Sequence, residues 1–169
     1  MLLQSWRRYA LAVLYRVCGL PREPYPPRVY RYRRSARFTV TIRKSACTLT
    51  VTAAAADDRA RFALPRTCPV AIGANPDGAD KQAVGDKRTP EGVFPICQKL
   101  RLAPPHGGFG SHWLRLDTRP CWEGIGIHGT NKPASLGTRA SAGCLRMANA
   151  DVAWLYRLLP LGTLVVIEQ

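Results

Sequence analysis

Phe38, Val40 and Ile42 alternate with Arg37, Thr39, Thr41 and Arg43, and Leu49 and Val51 alternate with Thr48, Thr50 and Thr52. A period of two sends successive side chains to opposite faces of an extended chain. Two half-buried strands are therefore predicted, joined by a short turn at Lys44 to Ala46. Further short apolar runs occur at Pro69 to Ile72, Val93 to Cys97, Trp113 to Leu116, Ile125 to Ile127 and Thr163 to Ile167. Gly and Pro punctuate the intervals, which predicts a mostly β domain. One helix stands apart: Asn149 is placed to cap it, Val152, Leu155 and Leu159 form its apolar stripe, and Pro160 with Gly162 stops it. No internal repeat is visible.

The first 36 residues read differently. As a helix, residues 2–20 set Leu3, Trp6, Ala10, Val13 and Val17 on one face and Arg7, Arg8 and Arg16 elsewhere. Residues 19–34 then carry four prolines interleaved with Arg and Tyr, a composition that favours an extended, semi-rigid linker. Residues 1–44 hold ten Arg and one Lys against the single acid Glu23, so most of the formal charge of +14 sits there. Three readings of the arm stay open: a helix on an anionic membrane surface, an export signal, or a helix packed on the domain. As a signal it is poor, since the apolar run Tyr9 to Tyr15 is cut short by Arg16 and the residues before Cys18 are not small. No apolar stretch reaches the roughly 20 residues needed to cross a bilayer, which excludes a polytopic membrane protein. Nucleic acid is not an expected partner, because no known binding signature follows the arm. The division expected is a basic helix and linker over 1–36 and a folded domain over 37–169.

The chemistry concentrates in residues 124–149, GIGIHGTNKPASLGTRASAGCLRMAN. A nucleophilic cysteine needs a base or positive potential to form its thiolate, and backbone donors for a developing oxyanion. Gly143 lets the chain turn tightly before Cys144, and His128 closes a predicted strand, with Gly129 freeing the backbone beside it. Sixteen residues separate His128 from Cys144, enough for a loop to return one to the other. His106 and His112 flank a Gly-rich stretch, but no metal-ligand spacing accompanies them, so neither a metal site nor a cofactor is expected. Cys18, Cys47, Cys68, Cys97 and Cys121 leave disulfide pairing open.

His128-Gly129-Thr130-Asn131, Ser135-Leu136-Gly137 and Ser141-Ala142-Gly143-Cys144-Leu145-Arg146-Met147 together resemble the active-site signature of the L,D-transpeptidase (YkuD-type) catalytic domain. Upstream, Ile72-Gly73 and the run Gly85 to Phe94, with Thr89-Pro90-Glu91-Gly92 at its centre, resemble the same family, as do the helix after Asn149 and the closing strand Thr163 to Ile167. The resemblance covers roughly residues 37–169. It implies a β-sandwich or barrel-like domain with one or two short helices. It implies Cys144 as nucleophile, His128 as general base and the main-chain carbonyl of Gly129 as the group that orients the imidazole. The amides of Gly143 and Cys144 are then oxyanion candidates, with Ser141 in support. Arg146 is a candidate for a substrate carboxylate and for lowering the thiol pKa, with an ion pair to Asp151 as its alternative. Thr130 and Asn131 are candidates for substrate contact or for turn stabilisation. Some family members carry a second histidine where Ala142 stands and asparagine where Arg146 stands; the combination here belongs to the branch that relies on the earlier histidine.

The implied reaction is acyl transfer on peptidoglycan stem peptides through a Cys144 thioester, giving a 3-3 crosslink, a tethered protein or, with water as acceptor, a carboxypeptidase. A non-catalytic basic module that binds an anionic wall polymer is the alternative from a different class. The implied location is periplasmic or otherwise extracytoplasmic, with the arm on an anionic membrane or wall polymer.

Overall fold

The computed structural model describes residues 34–119, 121–122 and 124–169, apart from the side chains of residues 103–106. The basic helix expected at residues 2–20, Cys18 and the linker up to Arg33 lie outside the described residues.

The chain enters as β1, Ser35–Arg43, and turns back as β2, Thr48–Ala53. The two pair antiparallel with Val40 opposite Val51 and Ile42 opposite Leu49, so the alternating apolar residues stack on one face. A six-residue helix α1, Ala56–Arg61, buries none of its side chains. It leads to β3, Arg66–Pro69, and the two-residue β4, Ile72–Gly73. The long strand β5, Gly92–His106, turns through a 3-10 segment, Gly107–Phe109, into β6, Gly110–Leu116. Then come β7, Gly126–His128, β8, Arg139–Ser141, and β9, Leu145–Arg146. Helix α2, Asn149–Leu158, and β10, Thr163–Glu168, close the chain.

Eight strands form one mixed sheet in the order β3-β2-β1-β10-β5-β6-β7-β9, and β4 pairs with β8 in a second, two-stranded sheet. Parallel pairing joins β1 to β10 and β7 to β9. The mostly β architecture expected from the alternation is therefore the one observed. Strand β5 runs nine residues beyond the apolar run Val93 to Cys97 that marked it. Gln98, Leu100 and Arg101 still pair with Arg115, Trp113 and His112 of β6, because sheet hydrogen bonds do not require apolar side chains.

Val40, Ile42, Leu49, Val51, Val165 and Ile167 of the sheet share one buried cluster with Val152, Leu155 and Leu159. A buried Val, Leu or Ile contributes roughly 1.5–3 kcal/mol. That packing is what holds α2, since a ten-residue helix is not stable alone. The expected capping role of Asn149 is not observed. Ala148 holds the cap position without a side-chain bond, and Asn149 is the first helical residue. Its amide is drawn elsewhere, by main-chain groups of Ser111 and Thr130.

The turn after β1 carries a buried lysine. Lys44, 1% exposed, donates to Glu91 Oε1 at 2.7 Å and to the Ala79 carbonyl at 2.9 Å. A buried ammonium without partners costs several kcal/mol, so this pairing fastens the segment 74–91 to the hairpin. Within that segment Asp86 accepts from Lys81 Nζ and from the amides of Gln82, Ala83 and Arg88. Burial works to raise its pKa, yet these bonds together hold its carboxyl well below the usual carboxylate range. Cys47, Cys68, Cys97 and Cys121 are all free thiols, the first three buried. Burial pushes the Cys97 thiol up to about 11 and raises that of Cys68, which keeps both protonated at neutral pH.

Candidate active site

His128 ends β7, flanked by β6 on one side and β9 on the other. In register it faces Trp113 of β6 and Arg146 of β9, and Ile127 faces Leu145. Cys144 immediately precedes β9, so the parallel pairing brings the cysteine turn beside the strand that ends in His128. The sixteen-residue return expected from the sequence is made by the 3-10 turn Pro133–Ser135 and strand β8.

The imidazole is 3% exposed, and its Nδ1 lies 2.6 Å from the carbonyl oxygen of Gly129. A carbonyl only accepts, so Nδ1 carries the proton and Nε2 keeps its lone pair. The ring stacks on Trp113, with centroids 5.2 Å apart and planes at 15°, and meets Phe109 at 4.7 Å. Phe109 and Trp113 touch edge to face at 5.2 Å, so the three rings form a nearly equilateral triangle. Burial pulls the His128 pKa down to about 4; the bond to Gly129 opposes this and the charge of Arg146 adds to it. His128 is thus neutral at pH 7.

Cys144 is half-buried, and its Sγ donates to the Gly124 carbonyl at 3.3 Å, a bond only the protonated thiol makes. The turn that carries it is built from hydroxyls. Ser141 Oγ donates to the Cys144 carbonyl at 2.6 Å and accepts from the Gly143 amide at 3.0 Å. Thr89, 1% exposed, donates to the Gly143 carbonyl at 2.9 Å while accepting from the Gly73 amide at 2.9 Å. Gly143 has φ of +134°, and a Cβ there would lie 2.8 Å from the Arg88 carbonyl, so both conformation and space require glycine. The Gly143 amide, expected as an oxyanion donor, is already given to Ser141, and this leaves the Cys144 amide as the candidate for that task.

The other expected residues divide. Arg146 is half-buried on β9 beside His128, and among the described residues no carboxylate pairs with it; Asp151 pairs instead with Arg66 at 2.6 Å. Arg146 also exchanges two main-chain bonds of 2.9 Å with Ala71, which fixes its backbone between two strands. Thr130 is buried and turned into its own loop: its Oγ1 accepts from the Lys132 amide at 3.0 Å, and its amide and carbonyl both meet Asn149. Asn131 is exposed. Among the described residues no three His, Cys, Asp or Glu side chains gather as a metal site. Nothing local in the sequence marks Thr89, Phe109 or Asn149 as part of the site. Thr89 lies in a motif that reads as a turn, Phe109 in a Gly-rich stretch and Asn149 at a helix start, and only the tertiary structure brings them here.

Residues 37–167 match the family model of the L,D-transpeptidase catalytic domain, YkuD. The putative L,D-transpeptidase YkuD of Bacillus subtilis is 45% identical over 82 residues, covering 48% of this chain and 46% of that protein. The putative L,D-transpeptidase YqjB of the same organism is 36% identical over 95 residues, covering 50% of this chain and 54% of that protein. The chain thus matches about half the length of these curated relatives. Among solved structures, L,D-transpeptidase 3 from Mycobacterium tuberculosis, in complex with a faropenem-derived adduct, superposes with a TM-score of 0.57 at 18% identity, covering 79% of this chain and 60% of that one. At that identity the likeness shows a shared fold.

Proposed function

From the premise that this chain belongs to the L,D-transpeptidase catalytic domain family, we propose that it is a cysteine acyltransferase acting on peptidoglycan stem peptides, with Cys144 as nucleophile and His128 as general base. The observation that carries this reading is the neutral, single-tautomer imidazole of His128, held at Nδ1 by the Gly129 carbonyl on the strand next to the Cys144 turn.

Nε2 takes the Cys144 proton as sulfur attacks the carbonyl carbon of the amide between the third stem residue and the terminal D-alanine. The carbon–sulfur bond forms, the oxyanion meets the Cys144 amide, and collapse breaks the carbon–nitrogen bond. The imidazolium returns its proton to the departing D-alanine amine, leaving a thioester. An amine of a second stem then attacks, His128 takes its proton, and the thiol is restored. A His128 pKa of about 4 suits this order of events: the pair rests as neutral thiol and neutral imidazole, and charge separates only as the sulfur attacks. Arg146, with no carboxylate partner among the described residues, supports the developing thiolate and holds a carboxylate of the stem. In this reading the enzyme works outside the cytoplasm, where stem peptides lie, with its basic arm on an anionic membrane or wall polymer.

Incubating the reduced protein with a disaccharide bearing a tetrapeptide stem, followed by mass spectrometry, tests this directly. D-alanine loss with crosslinked dimer is the expected result, and Cys144→Ala should give neither. D-alanine loss without dimer makes water the acceptor. An intact stem with the polymer merely bound would overturn the enzymatic reading in favour of a binding module.

A further inference from the structure

Asn149 is an exposed residue whose side-chain amide nevertheless makes three main-chain bonds. Its Oδ1 accepts from the amides of Ser111 at 3.3 Å and Thr130 at 3.2 Å, and its Nδ2 donates to the Thr130 carbonyl at 3.0 Å. These groups belong to three separate elements: the start of β6, the loop after β7 and the first turn of α2. The two glycines at the meeting point, Gly110 and Gly129, leave the room the amide needs, for a Cβ on either would fall on Asn149 Oδ1.

The bond to the Thr130 amide has a specific consequence. The Thr130 N–H and the Gly129 C=O are opposite ends of one planar peptide unit, so fixing the direction of one fixes the other. That carbonyl is the one 2.6 Å from His128 Nδ1. The neighbouring peptide is pinned as well, since the Gly129 amide donates to the His112 carbonyl at 3.2 Å and the His128 carbonyl accepts from the Met147 amide at 2.8 Å. Of these two planes, His128–Gly129 is held by main-chain partners, whereas Gly129–Thr130 is held, apart from His128 itself, by the side chain of Asn149.

We propose that Asn149 is a positioning residue for the base: it sets the plane of the Gly129–Thr130 peptide and thereby the ring orientation and tautomer of His128. This rests on the reading of His128 as the general base. An Ala at 149 lets the peptide plane turn, so the carbonyl loses its aim at Nδ1 and the proton distributes over both ring nitrogens. The fraction of enzyme with a lone pair at Nε2 then falls, and the ring loses its fixed direction.

The test combines ring nitrogen-15 NMR of histidine-labelled protein at pH 7.5, with His128 assigned by loss of its signals in His128→Gln, and the rate of Cys144 acylation by faropenem. Wild type should show the single Nδ1–H tautomer. Folded Asn149→Ala should show mixed tautomers and an acylation rate about 10- to 100-fold lower, the range found when a group orienting a functional side chain is removed. Asn149→Asp keeps both accepted bonds and should retain the single tautomer and most of the rate. If Asn149→Ala does not fold, Asn149→Ser carries the same test, its hydroxyl being too short to reach Thr130. A folded Ala or Ser variant with the wild-type tautomer and rate overturns the proposal, as does an Asp variant that behaves like Ala. If His128→Gln itself were acylated at the wild-type rate, the assignment of the base would fall instead; a normal His128 dependence with an indifferent Asn149 removes only the positioning role.

Discussion

His128 ends a strand and Cys144 sits in the turn just before the neighbouring strand, and the two are held by different physics. The histidine sits in regular sheet, in register with β6 and β9, and packs against Trp113 and Phe109. The cysteine sits in a turn, and its neighbours are tied by two hydroxyls, Ser141 at the end of β8 and Thr89 from 54 residues upstream of Gly143. Packing of rings is short-ranged and excludes water, so it controls the charge state of His128. Hydrogen bonds are directional, so they control where the sulfur and its adjoining amides point. The two halves of the site should therefore fail under different perturbations.

The largest separation is expected at Thr89. Thr89→Val keeps the shape but leaves the buried Gly73 amide and Gly143 carbonyl unpaired, which should cost about 3 kcal/mol in chemical denaturation. Acylation of Cys144 should slow while the His128 titration followed by NMR stays as in wild type. Movement of the histidine titration would show that the halves are not independent.

The pH dependence of stability isolates the other half. Folding lowers the His128 pKa from an unfolded value near 6.5 to about 4. Between those values the unfolded chain binds the proton and the folded one does not, so the contribution is complete above pH 6.5 and is lost as pH falls towards 4. The full loss is about 3 kcal/mol. Denaturation of wild type and His128→Gln across pH 4–7 should differ by that slope, and parallel curves would refute the buried neutral imidazole.

Ser141→Ala removes two bonds of the cysteine turn and should slow acylation about 10- to 100-fold, again without moving the histidine. Phe109→Ala is the smallest effect: it opens one side of the ring triangle to water, should cost about 1 kcal/mol, and should raise the His128 pKa while leaving the geometry of the cysteine turn intact.

The same contrast explains what could be read from the chain beforehand. The β1–β2 hairpin is a local pattern, and its alternation is sufficient to place it. Helix α1 buries nothing, so no apolar stripe marks it. Asn149 precedes an apolar run, which is the local signature of a cap, but the partners that claim its amide are 38 and 19 residues away and carry no sequence signal. His128, Gly129 and Cys144 share one motif segment with short spacing, which makes them legible in the sequence. Thr89 reaches the site through the fold of segment 74–91, which depends on Lys44 and on the Asp86 bonds, and no local pattern announces that.

Intact-mass analysis of the reduced protein after exposure to faropenem, with and without Cys144→Ala, tests the central claim most directly. A single covalent adduct on the wild type that disappears in Cys144→Ala is the predicted result. An unmodified wild type, or an adduct that persists on the alanine variant, would contradict Cys144 as the nucleophile.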